Sequence, residues 1–286
     1  MKIGLQSVCA ADLELEGVIA LAKAQGLAGV ELATGYSGRL RGEPAGPEWH
    51  VSTTDLLASA ERAALLTRQA GLEVFSLATR CETTDLELLE SLCRAAHSIG
   101  CPHVRAGPGR YDPALGFWGS MDRSRRQLRL AVERAREHGV RTVVELHDNT
   151  MANGVLACYE LVRDFSPREV GIILDAANAR LIGFQPWPEA LDILGDYLAY
   201  VHVKDVAWVR QDDGFATTSA GPGEGLVEWS QLLKLLTARG YQGWLSIEDY
   251  RGGWCKKNPE WPTERKVRQW KVFLDRILAE LPGEAK

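Results

Sequence analysis

Residues 139–147 read Gly139-Val140-Arg141-Thr142-Val143-Val144-Glu145-Leu146-His147, a glycine followed by a β-branched apolar run that ends in polar side chains. An amphipathic, arginine-rich stretch over residues 124–137 precedes that glycine. The whole unit therefore predicts a helix, a glycine stop and a buried strand. The same unit recurs along the chain, and alternation of this kind favours parallel strands joined by crossover helices.

Eight strands and eight helices are predicted from this alternation. The strands lie at residues 3–5, 29–32, 74–77, 103–106, 143–146, 171–174, 200–203 and 244–247. The helices lie at about residues 13–25, 54–70, 86–99, 124–137, 156–164, 187–194, 229–239 and 264–279. Because no linker or composition shift separates two halves, residues 1–286 are predicted to form a single (β/α)₈ TIM barrel domain.

A doubly wound open sheet is the alternative fold. Its usual phosphate-binding fingerprint, GxGxxG, is absent after the first strand, where the chain continues Gln6-Ser7-Val8-Cys9. The barrel is therefore the favoured prediction.

Composition excludes several classes of protein and partner. The 286 residues include 33 basic and 38 acidic side chains, a formal net charge of −5, which gives no net attraction to nucleic acid or anionic lipid. We expect a small-molecule partner, with no nucleic acid and no membrane.

The absence of a long apolar run or a signal-like start predicts a cytoplasmic protein, and six scattered cysteines without a CxxC pair are expected to stay reduced. A homo-oligomer is left open.

Four consecutive predicted strands each end in a side chain that can ligate a metal. Glu145, Asp175, His202 and Glu248 end the fifth to the eighth strand in that order. Since the carboxyl ends of parallel barrel strands meet on one face, we expect these groups to converge. Three neighbouring carboxylates would repel one another without a cation. The sequence therefore predicts one divalent ion, Mn²⁺, Mg²⁺, Co²⁺ or Zn²⁺, with open positions for substrate oxygens.

Several stretches match a pattern shared by one known superfamily: Met1-Lys2-Ile3-Gly4-Leu5, Gly29-Val30-Glu31-Leu32, residues 139–147, Tyr200-Val201-His202-Val203-Lys204-Asp205, residues 221–225 and residues 240–248. In these stretches the chain resembles the xylose isomerase-like TIM barrels. That superfamily of sugar isomerases and epimerases includes the ketose 3-epimerases, the inositol-catabolism isomerase and the endonuclease IV group. The resemblance covers nearly the whole chain, and it implies that Glu145, Asp175, His202 and Glu248 occupy the metal-ligand positions.

The same resemblance implies an isomerase or epimerase of a small sugar, ketose or cyclitol. A metal bound to a ketone and a neighbouring hydroxyl acidifies the C–H between them and stabilises the resulting enediolate. Glu145 and Glu248, on opposite sides of the ion, are the expected acid and base, and the sequence does not decide which abstracts the first proton. A dehydratase using the same intermediate and a non-catalytic sugar-binding barrel are the open alternatives.

Further side chains are predicted to contact substrate. His147 and Lys204 each lie two residues beyond a proposed ligand and therefore point to the same interior side of their strand. Arg105, in the fourth strand, and Arg251, after the eighth, are the candidate anion clamps if the substrate carries phosphate or carboxylate. Trp118, Trp208 and Trp254, on loops after strands four, seven and eight, are candidate walls of a sugar pocket. The structural alternative for Lys204 is an ion pair with Glu31 or Asp205, and Glu31 is expected to form a structural ion pair.

One position departs from the superfamily pattern. Many members have Asp-x-x-His after strand six, whereas this chain has Asp175-Ala176-Ala177-Asn178. Asn178 can hydrogen-bond substrate, and we include it in the substrate-binding set, but it cannot shuttle a proton. The same substitution, in a chain with six histidines, argues against the trinuclear zinc site of the endonuclease IV group.

Overall fold

A computed structural model describes residues 1–35, 49–253 and 260–281 of the chain. It contains the strands β1 (Lys2–Gln6), β2 (Gly29–Thr34), β3 (Glu73–Thr79), β4 (His103–Arg105), β5 (Arg141–Glu145), β6 (Val170–Asp175), β7 (Leu198–Val203), β8 (Asp205–Gln211), β9 (Gly214–Ala220) and β10 (Trp244–Ile247). Its helices are α1 (Leu15–Ala24), α2 (Leu56–Gln69), α3 (Leu86–Ile99), α4 (Gly116–Glu137), α5 (Val155–Val162), α6 (Ala176–Ile182), α7 (Trp187–Leu194), α8 (Trp229–Ala238) and α9 (Thr263–Glu280). Short 3₁₀ turns cover Ser7–Ala10 and Gly195–Tyr197.

Eight of these strands close into a parallel barrel in the order β1-β10-β7-β6-β5-β4-β3-β2. Closure depends on the pairing of the first barrel strand with the last, where Lys2 lies opposite Trp244 and Leu5 opposite Ile247. The predicted (β/α)₈ barrel is confirmed. The open-sheet alternative is wrong, because a doubly wound sheet would leave both of those edges unpaired.

Helix positions agree with the prediction except in two places. Helix α4 begins at Gly116 rather than near residue 124, and α6 was not predicted as a helix. Gly100 ends α3 with φ of 71°, the left-handed conformation that a glycine adopts without strain. None of the helices that the structure describes is both long and apolar enough to cross a membrane. A single domain over residues 1–286 stays a prediction.

The barrel interior has its own apolar cluster, separate from the larger core between strands and helices. In it the Phe75 ring stacks on Trp244 with centroids 4.1 Å apart and meets Tyr200 edge-on at 5.6 Å. Because β3, β7 and β10 are not all neighbours, these rings can meet only across the interior. Side chains of a strand alternate between faces. Residues two positions after the inward Val143, Ile173 and Tyr200 therefore also point inward, and these are the polar residues Glu145, Asp175 and His202.

Gly4 makes room for this inner cluster. A Cβ atom at Gly4 would lie 2.5 Å from Cε1 of Phe75, whose ring is already held by Trp244 and Tyr200. We expect Gly4→Ala to lower the free energy of unfolding by about 1–3 kcal/mol through overpacking, measured as a lower thermal midpoint. Gly183→Ala is the matched control, because Gly183 has an extended φ of −177° and open space around a built Cβ. Equal midpoints for the two variants would contradict this account of the interior.

A hairpin that was not predicted follows the seventh barrel strand. Strands β8 and β9 pair antiparallel from Asp205 opposite Ala220 to Gln211 opposite Gly214. The buried Asp205 carboxylate fastens the base of this excursion, because it accepts backbone N–H groups from both of its ends: Val206, Gly223, Gly225 and Val227, at 2.9 to 3.3 Å. The glycine-rich segment at residues 221–225 is thus ordered by a carboxylate.

Candidate metal centre

Four side chains from neighbouring barrel strands meet at the carboxyl end of the barrel. Glu145, Asp175, His202 and Glu248 are all buried, and one ligand atom from each lies within 4.8 Å of the others. His202 Nδ1 lies 3.3 Å from Glu145 Oε1, 3.6 Å from Glu248 Oε2 and 3.9 Å from Asp175 Oδ2. The four groups that the sequence singled out are therefore brought together, with the imidazole nitrogen facing three carboxylates.

Side-chain cations of the protein neutralise these carboxylates. Lys204 Nζ lies between two of them, 2.6 Å from Asp175 Oδ2 and 2.9 Å from Glu248 Oε2. Arg105 pairs with Oε2 of Glu145. The sequence suggested Glu31 or Asp205 as ion-pair partners for Lys204, and the structure pairs it with two members of the cluster instead.

Glu31 contacts Nε2 of His202, the ring nitrogen that does not face the cluster. The Glu31 carboxylate is fully buried and lies 3.0 Å from His202 Nε2, and it accepts hydrogen bonds from the hydroxyls of Tyr200 at 2.8 Å and Ser246 at 2.7 Å. A carboxylate at Nε2 keeps a proton on that nitrogen, so in the neutral imidazole the lone pair on Nδ1 faces the cluster and can coordinate a metal. Glu31 thus orients the candidate ligand His202. In metal-binding sites a ligating histidine commonly donates its other ring N–H to a carboxylate in this way.

Burial and neighbouring charges shift the pKa values of the cluster in different directions. Burial raises the pKa of Asp175 to about 6, although Lys204 opposes the shift. Burial alone would lower the pKa of His202, but the carboxylates of Glu31, Glu248 and Glu145 raise it well above its usual range. Burial also acts against ionisation of Glu145, yet Arg105 and His202 hold the pKa of that carboxyl well below its ordinary value. Without a metal, protons and side-chain cations therefore balance the cluster's charge.

The donor set fits a divalent cation. Glu145 Oε2 and Asp175 Oδ2 are buried, and neither has a hydrogen-bond partner among the described residues, although each lies beside a cationic side chain. Three carboxylates and one imidazole nitrogen suit Mn²⁺, Mg²⁺, Co²⁺ or Zn²⁺. These four side chains can hold such an ion, and its charge would replace that of the displaced protons.

Metal affinity is expected to rise with pH. A metal needs neutral His202 and ionised Asp175, whereas in the metal-free protein the raised pKa values of both groups favour their protonated forms at low pH. The affinity for Mn²⁺ should therefore increase from pH 5 to pH 7, with net release of protons on binding. Calorimetry in two buffers of different ionisation enthalpy measures both quantities. An affinity independent of pH, with no proton released, would contradict the cluster's assignment.

Comparison with known proteins gives the family. Residues 19–271 match the family model described as the xylose isomerase-like TIM barrel. The chain belongs to the xylose isomerase-like TIM barrel family. A curated relative in this comparison, the uncharacterised protein MJ1311 of Methanocaldococcus jannaschii, is 26% identical over 185 residues. That alignment covers 61% of this chain and 59% of the relative. The chain therefore spans less than two thirds of the length of this relative.

Solved structures share the fold of this xylose isomerase-like barrel at low identity. The probable 3-DHS dehydratase AsbF of Bacillus anthracis superposes with a TM-score of 0.74 and 17% identity, over 96% of this chain and 99% of that one. The IolI protein, solved with a bound zinc atom, superposes with a TM-score of 0.74 and 17% identity, over 99% of this chain and 100% of that one. A D-allulose 3-epimerase from Methylomonas sp. superposes with a TM-score of 0.71 and 15% identity, over 97% of this chain and 98% of that one. These likenesses concern the fold.

A cavity of about 350 Å³ opens beside the cluster of this xylose isomerase-like barrel. Its wall includes Arg105, Glu145, His147, Lys204 and Glu248. A second cavity of about 240 Å³ continues past the ends of β3, β4 and β5 and shares several of those walls. Five of the predicted substrate or cluster residues therefore surround one space.

Other predicted substrate contacts lie elsewhere. Trp118 is on helix α4 rather than on a loop, is 65% exposed and lines neither cavity. The buried Asn178 donates its side-chain N–H to the Leu146 carbonyl at 3.0 Å, and its backbone N–H to Asp175 Oδ1 at 2.8 Å, so it fixes the start of α6. Trp208 lies on the hairpin strand β8, and Trp254 is outside the described residues.

Gln6, Arg80 and Tyr250 are among the cavity residues that the sequence did not reveal. Gln6 ends β1 and donates to Glu248 Oε1 at 3.3 Å, and the Tyr250 hydroxyl donates to the same oxygen at 2.8 Å. Arg80, directly after β3, lines both cavities. Tyr250 lies two residues beyond Glu248, so the period-two rule that selected His147 and Lys204 would have found it.

Proposed function

We propose that the protein is a divalent-metal-dependent isomerase or epimerase of a small sugar, ketose or cyclitol, with Glu145, Asp175, His202 and Glu248 as metal ligands. The observation that carries the proposal is the convergence of these four buried groups within 4.8 Å beside a cavity of about 350 Å³. Membership of a family whose solved relatives include an epimerase supports it. A bound divalent ion would supply Lewis acidity that weakens a C–H bond next to a ketone.

The two glutamates are suited to move the proton. Strands β5, β6, β7 and β10 are consecutive in the barrel, so Glu145 and Glu248 stand at the two ends of an arc of four. Both line the cavity, and each can approach a flat intermediate from its own side. Proton removal by one glutamate and return by the other inverts the carbon, which is epimerisation.

The remaining polar groups position substrate. Lys204 is buried between two carboxylates, and although burial acts to lower its pKa, Asp175 and Glu248 raise it above the usual value. A lysine that holds its proton so firmly acts as a fixed cation and hydrogen-bond donor for a substrate oxygen. His147, which is 42% exposed at the cavity wall, can contact a second oxygen.

A dehydratase on the same site is the second candidate. It needs an acid that protonates a departing hydroxyl, and His147 at the cavity wall is placed to do so. A probable 3-DHS dehydratase has the same fold, so the fold is compatible with this reaction. It shares proton abstraction with epimerisation and differs in the product.

Deuterium exchange tests the proposal. The Mn²⁺-loaded protein is incubated in D₂O with a panel of ketoses, ketose acids, ketose phosphates and inosose, and the products are followed by NMR. We expect deuterium to enter a carbon next to the carbonyl, with an epimer or isomer as product. Water loss would identify the dehydratase, and binding without exchange across the panel would identify a sugar-binding barrel.

A further inference from the structure

The hairpin β8–β9 leaves the edge of one strand uncovered. Its two strands pair with each other and with no further strand in the part of the chain that the structure describes. The outer edge of β8 is covered at its base, where the Leu226 N–H donates to the Val206 carbonyl at 2.8 Å. Strand β9, which is mostly exposed, has no such cover among the described residues. Its outer backbone groups can therefore pair with another strand.

Strand β9 also lacks the features that usually block an edge. Proteins protect exposed edges with charged side chains, proline or a bulge. The sequence of β9 contains neither a charge nor a proline, and its pairing with β8 runs without a register shift. Phe215 on β9 is 69% exposed, and Trp208 on the same face of the hairpin is 46% exposed. An unprotected edge beside exposed aromatic rings is typical of a surface that binds another protein chain.

The hydrogen bonds at the base of the hairpin show which backbone groups of β9 face outward. Val206 directs both of its backbone groups away from β9, because its N–H donates to Asp205 Oδ1 at 2.9 Å and its carbonyl accepts from Leu226. Val206 and Ser219, which lie opposite each other, therefore form a non-hydrogen-bonded pair. The two kinds of pair alternate along an antiparallel ladder. The residues whose N–H and C=O groups point to the free edge are Phe215, Thr217 and Ser219.

We propose that a second copy of this chain covers this edge, with the two β9 strands antiparallel about a two-fold axis at Thr217. Phe215 of each copy then faces Ser219 of the other, and Thr217 faces its own counterpart. This two-fold register is the one that pairs all three outward residues with one another, and each such pair makes two hydrogen bonds. The two hairpins form a four-stranded sheet, and both copies use the same surface, as in most symmetric dimers.

A groove at the base of the hairpin carries positive charge. It has a volume of about 420 Å³ and lies between residues 222–224 and helix α9. Arg268 and Arg276 line it, and both are exposed and form no ion pair with a described residue. Glu224 is the carboxylate in the same lining, so the charged side chains of the groove leave a net charge of +1.

The tip of the hairpin carries the opposite charge. Asp212 and Asp213 are exposed, and neither forms an ion pair within the described ranges. Arg210, two residues before the turn, leaves this end of the hairpin with a net charge of −1. The register about Thr217 brings residues 212–213 beside residues 221–222 of the other copy, at the groove. Because each tip meets a groove of opposite sign twice by symmetry, the charges favour a second copy over an unrelated protein.

Charges placed at the symmetry axis test the dimer. The oligomeric state of the full chain is measured by sedimentation velocity over a series of concentrations, and we expect a dimer with a micromolar dissociation constant, since edge pairing buries a modest area. Thr217→Lys and Thr217→Glu each put like charges opposite one another, so each should weaken association by at least about tenfold. An equimolar mixture of the two variants should associate again as a heterodimer. Ser230→Lys is the control, since Ser230 is exposed on α8.

Charge reversal tests the contact between tip and groove. Asp213→Arg and Arg268→Glu should each weaken the dimer several-fold, and the double variant in one chain should recover most of the loss. Both side chains are exposed, so the thermal midpoints should change little.

Three results would overturn the proposal. They are a protein that stays monomeric at every concentration, a dimer unaffected by both charges at Thr217, and an equimolar mixture that does not associate. Restored association in the mixture, with no effect of the tip and groove variants, would support the β9 pairing and overturn the groove contact.

Discussion

Replacing Glu248 with glutamine should reduce deuterium exchange by at least about 10³-fold in whichever panel member the unaltered protein exchanges. The amide has nearly the same shape and can still accept hydrogen bonds from Gln6 and Tyr250, which now bond Glu248 Oε1. It cannot take a proton, and it removes one of the two carboxylates that flank Lys204. The barrel should therefore fold normally while the proton-transfer step fails.

The measurement is NMR detection of deuterium in substrate, with metal content determined for each sample and Mn²⁺ raised until exchange no longer increases. Glu133→Gln is the matched control, because Glu133 is exposed on α4. A circular dichroism melt should give similar midpoints for both variants. Exchange in Glu248→Gln equal to that of the control would exclude Glu248 as acid or base.

The second large effect is expected at a residue outside the cluster. Glu31→Gln should weaken metal binding by about 10–100-fold, although residue 31 is not one of the four candidate ligands. The amide can keep an oxygen toward the Tyr200 hydroxyl, but its NH₂ group would then face His202 Nε2 and the Ser246 hydroxyl. A donor at Nε2 favours the tautomer protonated on Nδ1, the nitrogen that faces the carboxylates.

Calorimetric titration with Mn²⁺ or Zn²⁺ measures this loss. Glu73→Gln is the control, because Glu73 lies on the neighbouring strand β3 but is exposed and pairs with Lys2 at 2.6 Å. Zinc affinities of Glu31→Gln and the control that agree within error would show that the carboxylate behind His202 does not set its tautomer.

The repeating strands and the cluster were readable from the chain because both follow local rules. A buried parallel strand is a short β-branched run, and a polar residue at its end lies at the barrel mouth; Glu145 and Asp175 were found in this way. Helix α4 was placed too late, because its first turns contain glycine and serine beside Trp118 and lack a clear apolar period.

What the sequence did not reveal depends on contacts between distant strands. Glu31 receives hydrogen bonds from Tyr200 and Ser246, 169 and 215 residues away in the chain, and only the barrel's register brings those side chains to one layer. Arg80 is likewise one of many surface-type residues until closure of the barrel turns it toward the cavity. The hairpin β8–β9 had a local signal, the two-residue turn at Asp212 and Asp213 before Gly214, but most of its side chains are exposed and give no apolar run.

The way Asp205 fastens that hairpin has a consequence for how this chain can diversify. Since one carboxylate ties both stems of the excursion to the barrel, the length and composition of its outer part are uncoupled from the scaffold. Insertions, deletions or exchange of the segment near residues 212–213 should leave the barrel strands in register. This tip is therefore a suitable place to graft foreign peptides or to exchange segments between homologues.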